Sequence, residues 1–480
     1  MDPAGGFRPV AAKALAGGNW LHPERTVEIR DPYHGAVVGV APISSLADLD
    51  AALNAAVEAR ASIAAMPGYE RAALLRRAAA LIEREKANLA EVLTRETGKA
   101  ITDSDAEIRR SVDTVALAAE EAIRIEGRHV PLDGSEMGAG KVAVLLRFPV
   151  GVIAGITPFN APFNLAAHKI APAIAAGNSI VLKPPPQAPL IVHRLVELFV
   201  EAGLPPGTLN VVYGGADIGA ALVADPRVDF ISFTGSSRAG AAIKASSGLR
   251  RVALELGGNN ATIVHDDADL ELAAAACARN SMRLAGQSCI SVQSVYVQQR
   301  AYETFLSLIE AQVRKLKLGD PLEAMTDVGT LIDERAAQRV ESWVREAAAE
   351  GARVVTGGHR HGAAFEPTVL TGVNPKMKVV CEEVFGPVVN VIPYGAIEEV
   401  FAAVNAGPYG LQAGIFTRSN EVTFRAIRAL RVGGVIVNGT STWRTDQLAY
   451  GGVKASGIGR EGPRYAIEEM TEQRLVVFNL

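Results

Sequence analysis

The cysteine in the stretch AGQSCIS, Cys289, has neighbours that are unusual around a buried structural cysteine. Gly286 gives the chain a flexible approach, and Gln287 and Ser288 are poor core residues. A cysteine nucleophile has to be accessible and partly ionised, and these neighbours are compatible with both requirements. Taken alone, a cysteine is more often a small buried hydrophobe, so further catalytic groups have to be found elsewhere in the sequence.

Two other segments could supply those groups. Glu255 ends an apolar strand in LELGGNN, where partial desolvation would raise the pKa of its carboxyl group towards that of a useful general base. Asn160 follows the strand predicted at 150–156, at the carboxyl end where α/β sheets bind ligands, and could donate to an oxyanion. Taken singly, the glutamate is equally well explained as a capping or ion-pairing residue, and the asparagine is better explained as a turn residue.

Two glycine-rich stretches have the spacing of phosphate loops but lack the required context. GIGREG at 457–462 matches G-x-G-x-x-G, yet only 18 residues follow Gly462, too few for a βαβ unit with an acidic residue about 20 positions further on. GSSRAG at 235–240 is followed by two alanines where a phosphate loop requires Lys and Ser or Thr. The sequence contains neither G-x-S-x-G nor H-E-x-x-H, so the usual serine-hydrolase and zinc-protease signals are absent.

The composition is that of a globular protein with two or three domains. The chain has 480 residues, 49% apolar and 21% charged, and a net charge of −4 gives no electrostatic signature of nucleic-acid binding. Three cysteines cannot form a disulfide framework, and no two have metal-ligand spacing. No apolar run reaches 18 residues, and the start lacks the pattern of a secretory signal. We therefore expect a cytoplasmic protein with reduced thiols and no membrane partner.

The order of predicted elements indicates the α/β class. Three helical stretches precede residue 127, the second ending at Gly98 and the third at Gly127. Apolar runs then alternate with helical segments in two series, from 150 to 235 and from about 260 to 450, which predicts two parallel-sheet domains. The segment 127–149 and the carboxyl terminus fit neither series, and their alternating apolar residues predict strands free to pair, another subunit being one candidate partner.

Together the motifs resemble those of the aldehyde dehydrogenase superfamily, and the resemblance covers essentially the whole chain. Each motif is weak alone, but their order and spacing are very specific. The motifs are TPFNAPFN at 157–164, SIVLKP at 179–184, FTGSSRAG at 233–240, LELGG at 254–258, GQSC at 286–289, EEVFGP at 382–387 and YGGVKASGIGREG at 450–462.

The resemblance implies two Rossmann-like parallel-sheet domains, one for the cofactor and one for catalysis, plus a small β arm for oligomerisation. The cofactor domain would comprise 1–126 and 150–255, and the catalytic domain 256–450. The segments 127–149 and 451–480 would form the arm, and a homodimer or homotetramer is implied.

The same resemblance implies the chemistry. Cys289, as a thiolate, would attack the aldehyde carbon, while the Asn160 side chain and the Cys289 backbone N–H would hold the oxyanion. Hydride transfer to nicotinamide would leave a thioester, and Glu255 would activate the water that hydrolyses it. CoA-acylating relatives lack this glutamate, so the product should be a free acid, and no metal is required.

The resemblance also implies a set of cofactor contacts. Lys183 would hold the adenosine ribose, Ser236 the pyrophosphate at a helix N-terminus, and Glu382 the nicotinamide ribose. The full set is Thr157, Pro158, Phe159, Lys183, Pro186, Gly215, Gly235, Ser236, Leu256, Glu382 and Phe385. Phe159 stands where the family commonly has tryptophan, and Pro186 where many NAD-preferring members have a glutamate that repels a 2′-phosphate. NADP is therefore tolerated, and we expect NAD or NADP as the cofactor.

The substrate follows less directly from the motifs. Of two arginines that succinate-semialdehyde dehydrogenases use for the distal carboxylate, one corresponds to Arg283 and the other is replaced by His168. Ser288, where phosphate-binding members often have arginine, counts against a phosphorylated substrate. The candidates for the substrate pocket are Arg110, Arg124, His168, Arg283, Ser288 and Arg444. For the arginines and the histidine, a surface or structural ion pair is at least as good an explanation.

We predict a short hydroxylated or acidic aldehyde such as lactaldehyde as the substrate, with succinate semialdehyde as the alternative. Glu255 argues against a CoA-acylating semialdehyde dehydrogenase. A cysteine hydrolase that uses Cys289 with one of eight histidines would leave the other motifs unexplained. A catalytically silent protein that keeps the fold would bind nucleotide without turnover.

Overall fold

The structure is a computed structural model that describes residues 7–22 and 24–479. Three parts of the chain lie outside the described residues: residues 1–6, Pro23 and Leu480. Residues 1–6 belong to the predicted cofactor domain and to the start that lacks a secretory pattern, and Leu480 belongs to the predicted arm. The strands are β1 (Val10–Ala11), β2 (Ala14–Ala16), β3 (Asn19–Leu21), β4 (Thr26–Arg30), β5 (Val37–Pro42), β6 (Arg128–Val130), β7 (Lys141–Pro149), β8 (Val152–Ile156), β9 (Ser179–Lys183), β10 (Leu209–Val211), β11 (Phe230–Thr234), β12 (Arg251–Glu255), β13 (Asn260–Val264), β14 (Val292–Gln298), β15 (Arg353–Thr356), β16 (Arg360–His361), β17 (Ala364–Phe365), β18 (Thr368–Thr371), β19 (Val388–Tyr394), β20 (Gln412–Phe416), β21 (Gly434–Val437), β22 (Gly457–Ile458) and β23 (Thr471–Asn479).

The helices surround these strands. They are α1 (Leu46–Ala65), α2 (Gly68–Thr97), α3 (Ile101–Ala122), α4 (Pro162–Ala176), α5 (Pro189–Glu201), α6 (Ala216–Ala224), α7 (Ser237–Ser246), α8 (Leu270–Met282), α9 (Tyr302–Val313), α10 (Glu334–Ala349), α11 (Lys378–Cys381), α12 (Ile397–Ala406), α13 (Asn420–Ala429) and α14 (Pro463–Glu469). Short 3₁₀ segments lie at Glu136–Gly138, Arg283–Gly286 and Lys454–Ser456.

Two of the predicted helix ends can be compared with the structure. Helix α2 ends before Gly98, whose φ of 72° is the left-handed cap that glycine favours, as predicted. Helix α3 ends at Ala122, five residues before the predicted stop at Gly127. Gly127 serves a different purpose, because a Cβ there would lie 2.5 Å from the Leu145 carbonyl oxygen of β7. The glycine allows the chain to pass close to β7 and does not end the helix.

The larger sheet has eight strands in the order β22-β12-β11-β8-β9-β10-β2-β3. Strands β10, β9, β8, β11 and β12 are parallel neighbours, which confirms the predicted α/β class. Strand β8 has β9 on one side and β11 on the other, so the chain reverses its direction of progress across the sheet between β8 and β11. Crevices at the carboxyl ends of strands next to such a reversal are where open α/β sheets bind ligands.

A second sheet has seven strands in the order β15-β18-β19-β14-β13-β20-β21. All neighbours are parallel except β15, which is antiparallel to β18. The apolar runs predicted to alternate with helices from about 260 to 450 include β14, β19, β20 and β21.

The strands predicted at 127–149 and at the carboxyl terminus pair with each other within one chain. Strand β7 lies antiparallel to β23 along nine residue pairs and to β6 on its other side, which forms a three-stranded sheet. The carboxyl-terminal segment also contributes to the larger sheet, where β22, at the start of GIGREG, pairs with β12. No helix of the described residues is long and apolar enough to cross a membrane.

Candidate active site

A cavity of about 230 Å³, the active-site cavity, brings together residues from both sheets. Asn160 follows β8, Ser236 follows β11, and Glu255 ends β12, so the larger sheet contributes its carboxyl edge. Cys289 precedes β14 and comes from the amino edge of the second sheet. The predicted site residues that line this cavity are Pro158, Phe159, Asn160, Gly235, Ser236, Glu255, Leu256, Cys289, Phe385 and Arg444.

The backbone before Cys289 is held in an uncommon conformation. Leu284, Ala285 and Gly286 have positive φ angles of 56°, 50° and 71°, and non-glycine residues of this kind are concentrated at functional sites. The Asn260 side chain donates to the Cys289 carbonyl oxygen at 2.7 Å. Gly258 has to be glycine, because a Cβ there would lie 2.3 Å from the same oxygen. These contacts fix the peptide on both sides of the sulfur.

The Cys289 sulfur lies 3.2 Å from the Tyr450 hydroxyl oxygen. Burial raises the pKa of the thiol to about 11, and the carboxyl groups of Glu383 and Glu255 also raise it. The Tyr450 hydrogen bond and the Arg444 charge lower it only in part. The thiol form therefore predominates at neutral pH, because burial outweighs the nearby donors, and the predicted attack as a thiolate requires loss of this proton.

Glu255 has the environment of a strong base. Its side chain is 6% exposed, and neither carboxylate oxygen has a hydrogen-bond partner among the described residues. Burial first, and the charge of Glu461 second, raise the pKa of Glu255 well above its usual range. The raised pKa favours the protonated form, and once ionised the carboxylate has no hydrogen-bond donor among the described residues to stabilise it.

Four residues at this site were missed from the sequence: Lys169, Glu383, Tyr450 and Glu461. Glu461 lines the cavity beside Glu255 and accepts a hydrogen bond from Arg444 at 2.6 Å. Lys169 on α4 donates to the Thr234 hydroxyl at 2.8 Å, and burial lowers the pKa of its ammonium group. Tyr450 and Glu461 lie within the quoted motif YGGVKASGIGREG and Glu383 within EEVFGP, but the motifs did not indicate their positions. Lys169 lies in none of the quoted motifs.

The Asn160 loop is held by a buried ion pair. Lys99 pairs with Glu107, and its ammonium group donates to the Asn160 carbonyl oxygen at 2.8 Å. Glu107 also accepts hydrogen bonds from the backbone N–H groups of Phe163 and Asn164 at 3.0 and 3.2 Å, at the start of α4. A carboxylate at a helix N-terminus satisfies free N–H groups, so α3 positions the loop that carries Asn160.

A second cavity of about 220 Å³, the proline-lined cavity, lies along the same edge of the larger sheet, after β9 and β10. Its predicted residues are Pro186 and Gly215, and Gly215 precedes α6. Lys183 is buried beside it, and burial lowers the pKa of its ammonium group to about 8. Its only hydrogen bond within the described chain goes to the Pro184 carbonyl oxygen at 3.2 Å, so it keeps donors for a ligand.

Two further predicted residues offer polar groups to a ligand. Ser236, in the lining of the active-site cavity, is the N-cap of α7, and its hydroxyl accepts a hydrogen bond from the Ala239 N–H at 3.3 Å. Thr157 carries a buried hydroxyl that has no partner in the described part of the chain. A helix N-terminus, an unsatisfied hydroxyl and a lysine with free donors fit an extended dinucleotide along this edge.

The structure corrects the choice of Glu382. Glu382 is exposed and does not line the active-site cavity, whereas the adjacent Glu383 does. Glu383 accepts a hydrogen bond from the Gly258 N–H at 3.0 Å, and burial raises the pKa of its carboxyl group to about 7. Phe385 also lines the active-site cavity, with its ring edge-on to Phe159 at 5.9 Å between centroids. The two glutamates are adjacent, so the motif alone did not distinguish them.

Only Arg444, among the predicted substrate-pocket residues, lines the active-site cavity. His168 is buried behind it, 3.4 Å from Arg444 and 3.3 Å from Asp446. Arg110 donates to the same aspartate. The remaining candidates lie elsewhere: Arg283 pairs with Asp103 at 2.7 Å, Arg124 with Glu120 at 3.1 Å, and Ser288 is half-buried outside the lining. Ion pairing therefore accounts for most of these side chains.

Comparison with known proteins tests the family suggested by the motifs. The sequence profile of the aldehyde dehydrogenase family matches residues 20–476. The chain belongs to the aldehyde dehydrogenase family. As an aldehyde dehydrogenase it is an oxidoreductase, which confirms the predicted enzyme class.

Similar aldehyde dehydrogenases align along nearly the whole chain. The 3-sulfolactaldehyde dehydrogenase of Priestia aryabhattai is 45% identical over 96% of this chain and 97% of its own. Aldehyde dehydrogenase 21 from Physcomitrella patens, solved with its reaction product succinate, has a TM-score of 0.95 at 38% identity and covers 98% of this chain and 99% of its own. The NADP-dependent glyceraldehyde-3-phosphate dehydrogenase of Bacillus halodurans, solved with NADP, has a TM-score of 0.95 at 34% identity over 98% and 99% of the chains. These likenesses confirm the predicted fold.

Proposed function

We propose that this aldehyde dehydrogenase oxidises a short hydroxylated or acidic aldehyde to its free carboxylic acid, with NAD or NADP as the hydride acceptor. The proposal rests on one observation: Cys289, Glu255 and Asn160 line a single cavity, although they come from three distant segments. A nucleophile, a buried carboxyl group and an amide donor are the groups that acyl transfer through a thioester requires.

Acylation begins at the Cys289 sulfur. As the sulfur bonds to the aldehyde carbon, its proton leaves to solvent. The carbonyl electron pair moves to oxygen, where the Asn160 side-chain amide and the Cys289 backbone N–H would donate hydrogen bonds. When bound, the nicotinamide accepts the hydride from the former aldehyde carbon, which leaves an acyl thioester on Cys289.

Deacylation depends on Glu255. Its unsatisfied carboxylate would take a proton from a water molecule as that oxygen attacks the thioester carbon. The carbon–sulfur bond then breaks, and the sulfur regains a proton. Because Glu255 is buried and its pKa is raised, its ionised form is a stronger base than an exposed glutamate. The product is a free acid, and the reaction requires no CoA.

Four residues along the cavities would hold the dinucleotide. Lys183 has free donors for the adenosine ribose, and Ser236 stands at the N-terminus of α7 for the pyrophosphate. Glu383, which replaces the earlier choice of Glu382, would accept from the nicotinamide ribose, with Phe385 packing nearby. Pro186 places no carboxylate at the proline-lined cavity, and a similar enzyme was solved with NADP, so we propose that both NAD and NADP bind.

The substrate we favour is a three-carbon hydroxyaldehyde such as lactaldehyde or 3-sulfolactaldehyde. The relative with 45% identity is a 3-sulfolactaldehyde dehydrogenase. Arg444 lines the cavity, and its Nε has no partner within the described residues, so it has a donor for a hydroxyl group or an anion. Succinate semialdehyde is the second candidate, because a similar enzyme was solved with succinate. The pairing of Arg283 with Asp103 weakens this second candidate.

The test is the formation of reduced cofactor by purified protein with NAD and NADP separately. The aldehydes are lactaldehyde, 3-sulfolactaldehyde, glycolaldehyde, succinate semialdehyde and benzaldehyde, with Cys289→Ala as the control. We expect CoA-independent turnover that is lost in the variant, with the highest kcat/KM for a three-carbon hydroxyaldehyde. Activity confined to benzaldehyde, or turnover by the Cys289→Ala variant, would overturn the substrate class or the nucleophile respectively.

We also propose the arrangement of the protein in solution. The cofactor domain (1–126 and 150–255) and the catalytic domain (256–450) would be joined by the arm segments 127–149 and 451–480. Strand β23 is an edge strand with exposed apolar side chains, namely Leu475, Val477 and Phe478. An exposed edge of this kind favours pairing with a second copy, so we expect a homodimer or homotetramer in the cytoplasm. Light scattering would give a monomer mass if this is wrong.

A further inference from the structure

Tyr450 is the residue whose side chain contacts the Cys289 sulfur. The hydroxyl oxygen lies 3.2 Å from the sulfur, and the tyrosine is 4% exposed at the wall of the active-site cavity. The hydroxyl is a donor and an acceptor, whereas a thiolate can only accept. Once Cys289 loses its proton, the single hydrogen bond possible between these two atoms is therefore donated by the phenol.

Tyr450 is held in this position from two sides. Its backbone N–H and carbonyl oxygen pair with those of Glu461, which fixes the start of its side chain. The Arg444 guanidinium lies over its ring, 3.7 Å from the centroid, while Arg444 itself is held by Glu461 at 2.6 Å. A hydroxyl positioned in this way needs little reorganisation when charge develops on the sulfur.

We propose that the Tyr450 hydroxyl is a catalytic hydrogen-bond donor that stabilises the Cys289 thiolate before it attacks the aldehyde, an inference that rests on the proposed nucleophilic role of Cys289. The phenol keeps its proton throughout. The Cys289 proton goes to a base or to solvent, and the sulfur electron pair then forms the bond to the aldehyde carbon. When the carbon–sulfur bond breaks at the end of turnover, the same donor stabilises the leaving thiolate.

The charges around the sulfur explain why such a donor matters. The ionisable side chains that affect Cys289 are Tyr450, Glu383, Arg444 and Glu255, which come from three separate segments. The two glutamates oppose a thiolate when they are ionised, and Arg444 favours it. Burial raises the pKa of Tyr450 well above its usual range, so the hydroxyl remains a donor at any pH at which the enzyme would be assayed.

The test is alkylation of Cys289 by iodoacetamide between pH 7 and 9, followed by mass spectrometry of the peptide that contains Cys289. The variant Tyr450→Phe keeps the ring beneath Arg444 and removes only the hydroxyl. Because a hydrogen bond to a charged group contributes appreciably, we expect alkylation about 10- to 100-fold slower at each pH. Loss of the hydroxyl can only widen access to the sulfur, so slower alkylation cannot be steric. An unchanged or faster rate in Tyr450→Phe would overturn the proposal.

The control variant is Tyr394→Phe, which removes another buried hydroxyl, one without a partner in the described chain and remote from the cavity. It should alkylate at the wild-type rate. With substrate, Tyr450→Phe should lower kcat by about the same factor as the alkylation rate while KM is little changed. The proposed function would fail separately, if the Cys289→Ala variant retained dehydrogenase activity. If Cys289→Ala is inactive and Tyr450→Phe is alkylated at the wild-type rate, only the role of Tyr450 is overturned.

Discussion

Glu255 and Glu461 line the same cavity, and their surroundings shift the pKa values of the two carboxyl groups in opposite directions. Against the effect of its burial, nearby His168 and Arg444 lower the pKa of Glu461 to about 2. Burial, and then the resulting charge on Glu461, raise the pKa of Glu255 well above its usual range. The difference in pKa follows from the hydrogen-bond partners, since Glu461 accepts a hydrogen bond from Arg444 and Glu255 accepts none within the described residues. The surroundings therefore favour the charged form of Glu461 and the protonated form of Glu255.

Glu255→Gln should separate the two halves of the reaction. The variant keeps the shape of the side chain but cannot take a proton from water, so the thioester should form and then persist. We expect a burst of reduced cofactor stoichiometric with subunits, followed by a steady rate about 10²- to 10⁴-fold below wild type. Stopped-flow absorbance measures both phases. A linear time course without a burst would show that Glu255 is needed before the thioester forms.

The same variant should change the pH dependence of stability. A group whose pKa is raised by folding contributes stability that is present below its unfolded pKa and is lost as pH rises through the folded pKa. For wild type, this contribution of Glu255 therefore falls as pH rises above about 4.5 towards the raised value. Glutamine does not ionise, so the Tm of Glu255→Gln relative to wild type should increase between pH 5 and 8. A difference in Tm that is independent of pH would contradict the raised pKa.

The two adjacent glutamates of EEVFGP provide a matched pair. Glu383→Gln removes an ionisable group from the active-site cavity, whereas Glu382→Gln changes an exposed side chain. If Glu383 accepts hydrogen bonds from the nicotinamide ribose, its variant should lower kcat/KM for the cofactor by about 10- to 100-fold. The Glu382 variant should remain within about twofold of wild type, as is usual for surface substitutions. Equal effects in the two variants would restore the original choice of Glu382.

Pro186→Glu should change cofactor selectivity. Pro186 is exposed at the proline-lined cavity, so a carboxylate there would face a 2′-phosphate without disturbing the core. Like-charge repulsion at a solvent-exposed site of this kind should lower kcat/KM for NADP about tenfold while the value for NAD stays near wild type. Pro186→Gln is the uncharged control and should leave the ratio unchanged. If the glutamate variant uses NADP as well as wild type does, the 2′-phosphate lies elsewhere.

The sequence predicted the reactive groups better than the residues that position them. The sequence indicated Cys289, Glu255 and Asn160 because each has a recognisable local context within a short segment. That context is a nearby glycine, the end of an apolar strand, or both. Lys169 and Glu461 were missed because the fold gives them their surroundings, which periodicity does not encode: Lys169 contacts Thr234 on another element, and Glu461 lies beside Glu255 in the active-site cavity. The same limit applies to strands β7 and β23, which were predicted as strands without a partner and pair with each other across more than 300 residues of chain.

Glu107→Gln tests whether a side chain outside the cavity supports the Asn160 loop. Glu107 pairs with buried Lys99 and accepts two N–H groups of α4, so the change leaves the Lys99 charge buried without its partner. Breaking a buried pair in this way typically costs about 3–5 kcal/mol, and the midpoint of urea unfolding should fall accordingly. The control Glu120→Gln alters exposed pairs with Arg76 and Arg124 and should cost less than about 1 kcal/mol. Because Lys99 also donates to the Asn160 carbonyl, kcat should fall in the folded Glu107 variant, and wild-type kcat there would show that the loop holds its position without this pair.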